Sequence, residues 1–480
     1  MSLPNLLFPG FPFLVFFAVV FAVYWWIGRH RLRLSWLLLA SCIFYLSACR
    51  DRQNHVLPAL ILLILFSASV DYFAAKLIEN SRSLRRKTWL MIGSISINLG
   101  VLFFFKYVNF FCATASGFLA WFKIEWTHTP FDLILPLGIS FYTFETISYI
   151  VDVYRGRTKA VKNPLDYALF IMFFPHLVAG PIVRPHDFLP QVERKKVFSW
   201  NRMYLALRLF LLGFFKKAVV ADHLAKVVDP VFKDPSHYAS IAIWLGVLAY
   251  TIQIYCDFSG YSDMAIGVAH AFGFKLPRNF DHPYMSAGPS EFWRRWHISL
   301  SSWLRDYLYV PLGGNRLGVG RTYANLIVVM LLGGLWHGAS WTFVAWGLYH
   351  GVWLALHRAI PLPSVLKKPA FRPLCMLTTF LLVALGWVFF RAQTFGDAGI
   401  MLERMFVPTL GEKLKPATAL LVSICVAITL IGGWVGVTRT FERVEKRMPA
   451  PLMGAALAAF LILALLLYPE TSAPFIYFQF

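Results

Sequence analysis

A histidine surrounded by glycines has the clearest potential for chemistry in this sequence. His337 lies in the apolar run 324–360, close to Gly333, Gly334 and Gly338. Such a cluster predicts a helix break or a close helix crossing, so we expect His337 to face an internal cavity. An imidazole in apolar surroundings favours its neutral form, which is suited to general-base catalysis. A histidine that only bridges two helices by a hydrogen bond is the alternative.

A second candidate, His297, lies in the polar stretch 279–316. Helical spacing of apolar residues predicts one amphipathic helix here, with Ser290 as its N-cap and Glu291 in its first turn. This helix is too polar to span lipid, so it should lie at the interface or re-enter the domain. His297 follows Trp293 by four residues, which places it toward the apolar side. A functional role is favoured over a core histidine that binds a backbone carbonyl.

His350 is the next histidine along the run that contains His337. In a continuous helix the intervening thirteen residues would separate the two by about 20 Å. We therefore do not expect them to share one site. His350 and His357 are seven residues apart on one face, where snorkelling or interhelical hydrogen bonding is the expected role.

Two further polar stretches interrupt the apolar sequence. The stretch 133–154 contains Glu145 and Asp152, each of which is either functional or a structural partner of a buried Arg or Tyr. The stretch 255–263 reads YCDFSGYSD, and its polar residues predict a re-entrant turn that lines a cavity. Both stretches indicate a polar interior within an apolar protein.

The elements that must position these residues are membrane helices. The 480 residues are 58% hydrophobic and only 14% charged, with a mean hydropathy of +0.60, which lies outside the usual range of soluble domains. Apolar runs long enough to cross a bilayer recur along the chain, and they predict an all-α, polytopic protein with roughly ten to twelve spanning or re-entrant helices. The first run, 11–27, is expected to be a retained helix and not a cleaved signal peptide.

The sequence predicts a single membrane domain over residues 1–480. No internal repeat or low-complexity linker is visible. Polar residues accumulate between about 131 and 357, which we take as the catalytic core, and cleaner apolar helices follow over 371–480.

The formal net charge of +21 is attributed to the basic loops and lipid-facing groups of a membrane protein, and no nucleic-acid partner is expected. By the positive-inside rule the first and third loops are cytoplasmic and the N-terminus lies outside. Further basic groups at 194–196 and 216–217 are expected to be solvated or lipid-facing, with an anionic cytosolic donor as the alternative. The loop residues behind this orientation are Arg29, Arg31 and Arg33, then Arg50, Asp51 and Arg52, then Arg82, Arg85, Arg86 and Lys87.

Standard catalytic and metal-binding signatures are absent from the sequence. There is no HExxH, GxSxG, Walker A or GxGxxG motif, which argues against metalloprotease, serine hydrolase, P-loop ATPase and dinucleotide-binding functions. The six cysteines form no CxxC pair and have no metal-ligand spacing, so no metal site is expected and they are interpreted as small buried residues.

Several stretches in order along the chain resemble the membrane-bound O-acyltransferase superfamily, specifically its bacterial alginate O-acetyltransferase branch. The resemblance extends over most of the chain and is far more specific than a lone histidine. Its two strongest stretches are EFWRRWHISLSSWLRDYLYVPLGGNR and LLGGLWHGASWTFVAWGLYHG, joined by LPLGISFYTFETISYIVDVYRG, FPHLVAGPIVR, YCDFSGYSDMAIG and PFIYFQF.

The resemblance implies a multi-helix fold around a central tunnel and names a reaction. The superfamily histidine falls on His337, and a second polar position, occupied by histidine or asparagine, falls on His297. The implied activity is transfer of acetyl groups from a cytosolic thioester across the bacterial cytoplasmic (inner) membrane, for O-acetylation of an exopolysaccharide such as alginate or cellulose. Acetyl-CoA is the implied donor substrate, and no bound cofactor is expected.

We expect His337 to act as general base and His297 to orient the donor or stabilise developing charge. Arg305, Asp306 and Asn315 could shape the donor entrance, with Arg305 suited to a phosphate of coenzyme A, or could anchor the protein at the interface. The remaining candidates for donor or substrate binding are Trp336, Asp257 and Tyr261.

Two kinds of partner and two alternative functions follow. Because no extracytoplasmic catalytic domain is recognised, a separate periplasmic acetyltransferase is expected to deliver acetyl to the polymer, and membrane lipids surround the chain. One alternative is a transporter or flippase without bond chemistry, since broken polar helices are typical of transporters. The other is an acyltransferase of the teichoic acid D-alanyl type, which draws on an acyl carrier protein.

Overall fold

The computed structural model describes Leu6, Phe8 and residues 10–49, 57–126, 129–360, 363–469 and 473–478. Within these residues the protein is helical, and a single bridge between Tyr238 and Glu412 is the only strand-like pairing. In this described part of the chain, seven stretches are long and apolar enough to cross a membrane: His30–Ala48, Ala59–Asn80, Leu84–Trp121, Ser240–Ala271, Val319–His337, Pro369–Arg391 and Pro416–Val437.

The all-α, multi-pass architecture predicted from composition is confirmed. Two shorter apolar helices, Phe11–Trp26 and Ala450–Leu466, accompany the seven candidate spans, so the figure of roughly ten to twelve stays a prediction. The loop with Arg50, Asp51 and Arg52, on which the predicted orientation partly depends, lies outside the described residues.

The described residues group into two compact units, with boundaries at 207/208 and 264/265, each inside a helix, and at 277/278 in a loop. The N-terminal unit consists of residues 1–207 and 265–277. A π-helical stretch, Phe103–Tyr107, joins α4 and α5 in this unit. Its helices are α1 Phe11–Trp26, α2 His30–Ala48, α3 Ala59–Asn80, α4 Leu84–Leu102, α5 Val108–Trp121, α6 Ile139–Tyr154, α7 Pro164–Met172, α8 Phe174–Leu177 and α9 Pro185–Glu193.

The C-terminal unit consists of residues 208–264 and 278–480 and contains both candidate histidines. Helices α10 (Trp200–Phe214) and α12 (Ser240–Ala271) have residues in both units. The π-helical stretches are Phe215–Ala221 and Arg305–Tyr309, and short 3-10 turns occupy Pro235–His237, Pro283–Met285, Ser364–Lys367, Pro369–Phe371 and Ile476–Phe478. The other helices are α11 Asp222–Lys233, α13 Pro289–Arg295, α14 Ile298–Leu304, α15 Val319–His337, α16 Trp341–Ala359, α17 Arg372–Arg391, α18 Phe395–Phe406, α19 Pro416–Val437, α20 Thr440–Arg447 and α21 Ala450–Leu466.

The two carboxylates of the stretch 133–154 have structural partners in the N-terminal unit. Glu145 Oε1 accepts a hydrogen bond from Val183 N at 3.0 Å and lies 3.1 Å from His176 Nδ1. Asp152 Oδ2 lies 3.1 Å from Nδ1 of His186. Arg157 Nη1 also lies 4.0 Å from Asp152 Oδ1, so an arginine, although an exposed one, is among the partners as expected, together with histidines and a backbone amide.

The predicted re-entrant turn at 255–263 is wrong, because these residues form the middle of the continuous helix α12. Its two carboxylates do not break the helix, since each is paired with a lysine within the C-terminal unit. Lys216 Nζ, for example, lies 2.7 Å from Asp263 Oδ2. Gly260 also serves packing and not a turn: a Cβ atom there would come within 2.6 Å of the Gly213 carbonyl oxygen.

The expectation that the basic pair 216–217 faces solvent or lipid is wrong for Lys217, while Lys216 is partly exposed and pairs with Asp263. Lys217 is only 2% exposed, and its Nζ atom lies 2.6 Å from Asp257 Oδ1 and 2.7 Å from Asp222 Oδ1. A buried ammonium group persists when carboxylates of opposite charge surround it. Sequence alone did not show that these carboxylates are its neighbours.

Candidate active site

His337 lies at a helix break, as its flanking glycines predicted. Helix α15 ends at His337, Gly338 has an extended backbone, and α16 begins at Trp341. The Ser340 side chain caps α16 by accepting a hydrogen bond from Thr342 N at 3.3 Å. The chain therefore reverses just beyond the histidine, and α15 and α16 pack against each other.

Glycines allow α15 and α16 to approach closely next to this break. A Cβ atom on Gly334 would lie 2.2 Å from the Phe343 carbonyl oxygen, and one on Gly347 would lie 2.3 Å from the Met330 carbonyl oxygen. Neither position can hold a side chain unless the backbones move apart. The predicted close helix crossing is thus confirmed, and it places His337 at the end of a tightly packed helix pair.

His297 lies at a second break, and the single amphipathic helix predicted for this region is wrong. Helix α13 ends at Arg295 and α14 begins at Ile298, while His297 between them has a left-handed backbone with φ 44° and ψ 54°. Gly288, not Ser290, is the N-cap of α13, although Glu291 does lie in the first turn.

Asn279 provides the physical reason for this second break. Its carbonyl oxygen accepts a hydrogen bond from Ile298 N at 2.8 Å, and its Oδ1 atom accepts one from Ser299 N at 3.3 Å. These two amides would otherwise donate to the preceding helical turn. A residue eighteen positions before His297 thus ends α13 and directs the chain past the histidine.

The same asparagine determines which nitrogen of His297 carries the proton. Asn279 Oδ1 lies 3.1 Å from His297 Nδ1 and also accepts from Ser299 Oγ at 2.9 Å, while its Nδ2 donates to Ser262 Oγ at 3.2 Å. Because the backbone amide of Ser299 can only donate, the atom it contacts is the acceptor Oδ1. His297 Nδ1 must therefore donate, and Nε2 carries the lone pair. Among the described residues Nε2 has no hydrogen-bond partner.

Burial keeps His297 neutral. The residue is 0% exposed, and desolvation lowers its pKa from 6.5 to about 3. It lies between two short helices, outside the seven candidate spans. Its Nε2 can accept a hydrogen bond or a proton at neutral pH, but it cannot donate to an anion.

This lowered pKa predicts a pH dependence of stability. An unfolded chain takes up a proton at this histidine below pH 6.5, whereas the folded chain does not until about pH 3, so stability is lost as the pH falls through this interval. Between pH 7.5 and pH 5 the loss from this group should be about 2 kcal/mol. We expect His297→Asn to show a correspondingly smaller fall in melting temperature over this range, and the same fall in both proteins would contradict the assignment.

The two histidines lie close together. Their ring centroids are 6.4 Å apart, and His337 is 4% exposed. Trp336, a predicted binding residue, lies 4.9 Å from the His337 ring and 6.1 Å from the His297 ring. Phe258 packs edge-on against His297 at 4.6 Å, and Phe390 lies 5.2 Å from His337. An aromatic wall thus surrounds both imidazoles and keeps the local dielectric low.

The predicted separation of about 20 Å between His337 and His350 is wrong, because the helix is not continuous. The Trp346 ring lies 5.2 Å from that of His337 and 5.0 Å from that of His350, so the histidines flank one indole. A cavity beside His350 is lined by Phe292 and Trp293, among others. The cavity expected at His337 stays a prediction.

Tyr477 is a neighbour of the site that the sequence did not single out. Its ring lies 5.5 Å from that of His337 and 4.5 Å from that of Phe258. The only sequence signal was the resemblance of PFIYFQF to the alginate O-acetyltransferase branch, which assigned no role to the tyrosine. The residue is 140 positions from His337, so local patterns could not connect the two.

The other predicted binding residues lie in two places. Arg305 is exposed, and its Nε atom pairs with Asp306 Oδ1 at 2.7 Å, while Asn315 is exposed as well. This arrangement fits either an entrance or an interface anchor. Asp257 and Tyr261 are buried on α12, where the former pairs with Lys217 and the latter packs against Phe475.

Comparison with known proteins places the chain in a family. Residues 159–362 match the membrane-bound O-acyltransferase (MBOAT) family. The chain is 44% identical to the probable alginate O-acetylase AlgI of Pseudomonas putida, over 82% of this chain and 79% of the relative. The chain belongs to the membrane-bound O-acyltransferase family. It is therefore a membrane O-acetyltransferase, which argues against a flippase without bond chemistry.

Other relatives of this O-acyltransferase act on different polymers. The peptidoglycan O-acetyltransferase of Helicobacter pylori is 40% identical over 77% of this chain and 73% of the relative. The teichoic acid D-alanyltransferase of Bacillus subtilis is 28% identical over 56% of this chain and 71% of the relative. The family thus includes more than one acyl group and more than one acceptor polymer.

Proposed function

We propose that this O-acyltransferase moves acetyl groups from acetyl-CoA across the bacterial cytoplasmic (inner) membrane for O-acetylation of an exopolysaccharide such as alginate or cellulose. The observation that carries the proposal is the pair His297 and His337, buried with ring centroids 6.4 Å apart in a chain similar to alginate O-acetylases. An alginate acceptor is the first choice, because the AlgI relatives match 82% of this chain and the peptidoglycan O-acetyltransferase relative matches 77%.

In the proposed reaction His337 is the general base. Its neutral imidazole takes the proton of an acceptor hydroxyl as the hydroxyl oxygen attacks the thioester carbonyl carbon. The new C–O bond forms, the C–S bond breaks, and the leaving thiolate receives the proton from the His337 imidazolium. The proton is thereby returned, and the acetyl ester and the free thiol are the products.

His297 is proposed to orient the acceptor. Its Nδ1 proton is bound by Asn279, so the lone pair on Nε2 can accept a hydrogen bond from a second hydroxyl group of the sugar acceptor and orient the attacking oxygen toward the thioester, while the hydrogen of the attacking hydroxyl is left for His337. A neutral imidazole in this tautomer has no proton for the oxyanion. Two roles were predicted for His297, namely orienting the donor and stabilising developing charge. The hydrogen bonds fit an orienting role, although it is the acceptor that is oriented and not the donor. They do not fit charge stabilisation.

We also propose an orientation and a set of partners. The N-terminus lies outside, the loops rich in arginine near 29–33 and 82–87 lie in the cytoplasm, and a separate periplasmic acetyltransferase passes acetyl to the polymer. Arg305, Asp306 and Asn315 are proposed to border the donor entrance, where Arg305 would contact a phosphate of coenzyme A. One catalytic domain is proposed for residues 1–480.

A donor competition tests the proposed function. The purified protein in liposomes is given acetyl-CoA labelled in the acetyl group, or a D-alanyl acyl carrier protein, together with alginate and an extract of the periplasm. We expect labelled acetyl ester on the alginate only with acetyl-CoA. Transfer of D-alanine alone would instead favour the reaction named for the Bacillus subtilis relative.

A further inference from the structure

A buried ion cluster lies outside the histidine pair, in the C-terminal unit. Lys217, Asp222 and Asp257 are each at most 2% exposed, and the Nζ atom of Lys217 contacts both carboxylates within 2.7 Å. Burial by itself lowers the pKa of Lys217, but the two carboxylates outweigh it and raise that pKa, while burial raises the pKa of Asp222 to about 6. The cluster joins the π-helical stretch 215–221 to α12.

The ion cluster also binds a segment from the far end of the chain, which we call the tail segment (residues 473–478). Lys217 Nζ donates a hydrogen bond to the Ala473 carbonyl oxygen at 2.9 Å. Ile476 N donates a hydrogen bond to Asp257 Oδ2 at 2.8 Å. Both bonds are charge-assisted and therefore stronger than ordinary backbone bonds. Two points three residues apart are held, which fixes both the position and the direction of the tail segment.

Aromatic packing continues from these two bonds to the candidate active site. The Phe475 ring lies 4.6 Å from the Tyr261 ring. Tyr261 follows Asp257 on α12 by four residues, which is about one helical turn. The Tyr477 ring lies 4.5 Å from that of Phe258 and 5.5 Å from that of His337. Asp257, Phe258 and Tyr261 therefore present one face of α12 to the tail segment, and Tyr477 of that segment contacts both this face and His337.

We infer that the ion cluster of Lys217, Asp222 and Asp257 is a positioning site, which seats the tail segment so that Tyr477 packs against His337. This inference rests on the proposed function. The cluster touches no reacting atom, so it acts through the tail segment alone. Misplacing a catalytic group by about 1 Å can reduce a rate on the order of 100-fold, so release of the tail segment should lower kcat far more than it changes KM for the donor.

A proline substitution tests the anchor without altering any charge. Ile476→Pro removes the N–H that donates to Asp257, whereas Ile476→Ala removes most of the buried side chain and keeps the N–H. We expect Ile476→Pro to lower kcat for acetyl transfer about 10- to 100-fold relative to Ile476→Ala. Hydrogen exchange at the amides of Tyr477 and Phe478 should be at least about 10-fold faster in the proline variant than in the alanine variant.

A second variant removes the hydrogen-bond acceptor, the Asp257 carboxylate, and leaves the Ile476 amide in place. Asp257→Ala leaves the charge of Lys217 balanced by Asp222, so it avoids the unpaired buried charge that replacing Lys217 would create. It should reproduce the loss of kcat and the faster exchange of Ile476→Pro. The double variant should be no more than about twofold worse than either single one, because both changes break the same bond.

The inference is overturned if Ile476→Pro and Ile476→Ala have equal kcat and equal exchange in the tail segment. It is also overturned if exchange accelerates while kcat stays unchanged, since the tail segment would then be anchored without serving His337. Hydrogen exchange needs no donor or acceptor. Seating of the tail segment can therefore be measured even if the wild-type protein transferred no acetyl group, an outcome that would count against the proposed function itself.

Discussion

Replacement of His337 by alanine should reduce kcat/KM for acetyl transfer about 1,000-fold, which lies within the usual contribution of a general base. The buried ring lies at the end of α15, next to His297 and Tyr477, where water cannot easily take over proton transfer. The measurement is the initial rate of labelled ester formation from acetyl-CoA by purified protein in liposomes. Melting temperature and size-exclusion profile should show that the variant remains folded.

His357→Ala is the matched control for this experiment. His357 lies on α16, the helix that packs against α15, and is partly exposed. Its removal tests the loss of an imidazole from the same helix pair without touching the site. We expect it to retain at least about half of the wild-type rate, since no catalytic group is altered. Full activity in His337→Ala would refute the role that we assign to His337.

The second large effect concerns the helix pair itself. Gly334→Ala should destabilise the protein by about 2–3 kcal/mol, because the added methyl group would lie 2.2 Å from the Phe343 carbonyl oxygen. Backbone cannot rotate away as a side chain can, so α15 and α16 must separate. The measurement is the melting temperature in detergent, together with the yield of monodisperse protein.

Gly333→Ala is the matched control for Gly334→Ala, since it makes the same chemical change one residue earlier. A methyl group there would meet only the Leu304 side chain, at 3.4 Å, which is ordinary contact. The helix propensity gained is the same at both positions. We therefore expect Gly333→Ala to be neutral or slightly stabilising, and equal melting temperatures for the two variants would show that the close crossing is not needed.

The break at His337 could be predicted because its cause is local. Three glycines within five residues of the histidine are visible in the sequence, and glycine is the residue that permits both a break and a close crossing. Membrane insertion was equally predictable, since the length and composition of apolar runs determine it. The family resemblance then correctly indicated the class of reaction.

The remaining features depend on residues that are distant in sequence. The break at His297 is caused by hydrogen bonds to Asn279, and the pairing of Lys217 with Asp257 joins two helices. Helical periodicity cannot detect such long-range contacts. It therefore predicted an unbroken helix through His297 and an exposed Lys217. It also predicted a turn at 255–263, because polar residues in an apolar run carry no sign of the partners that neutralise them.

The left-handed backbone of His297 limits which mutations the protein can tolerate at this position. Apart from glycine, the residues that most readily adopt this conformation are asparagine, aspartate and histidine. An aspartate would introduce a charge into a site with no exposed surface, and glycine would provide no polar group. Histidine and asparagine are the two that remain, and they are the pair implied for this position by the family resemblance. The main-chain geometry at residue 297 thus restricts which residues can be accommodated there, independently of their role in catalysis.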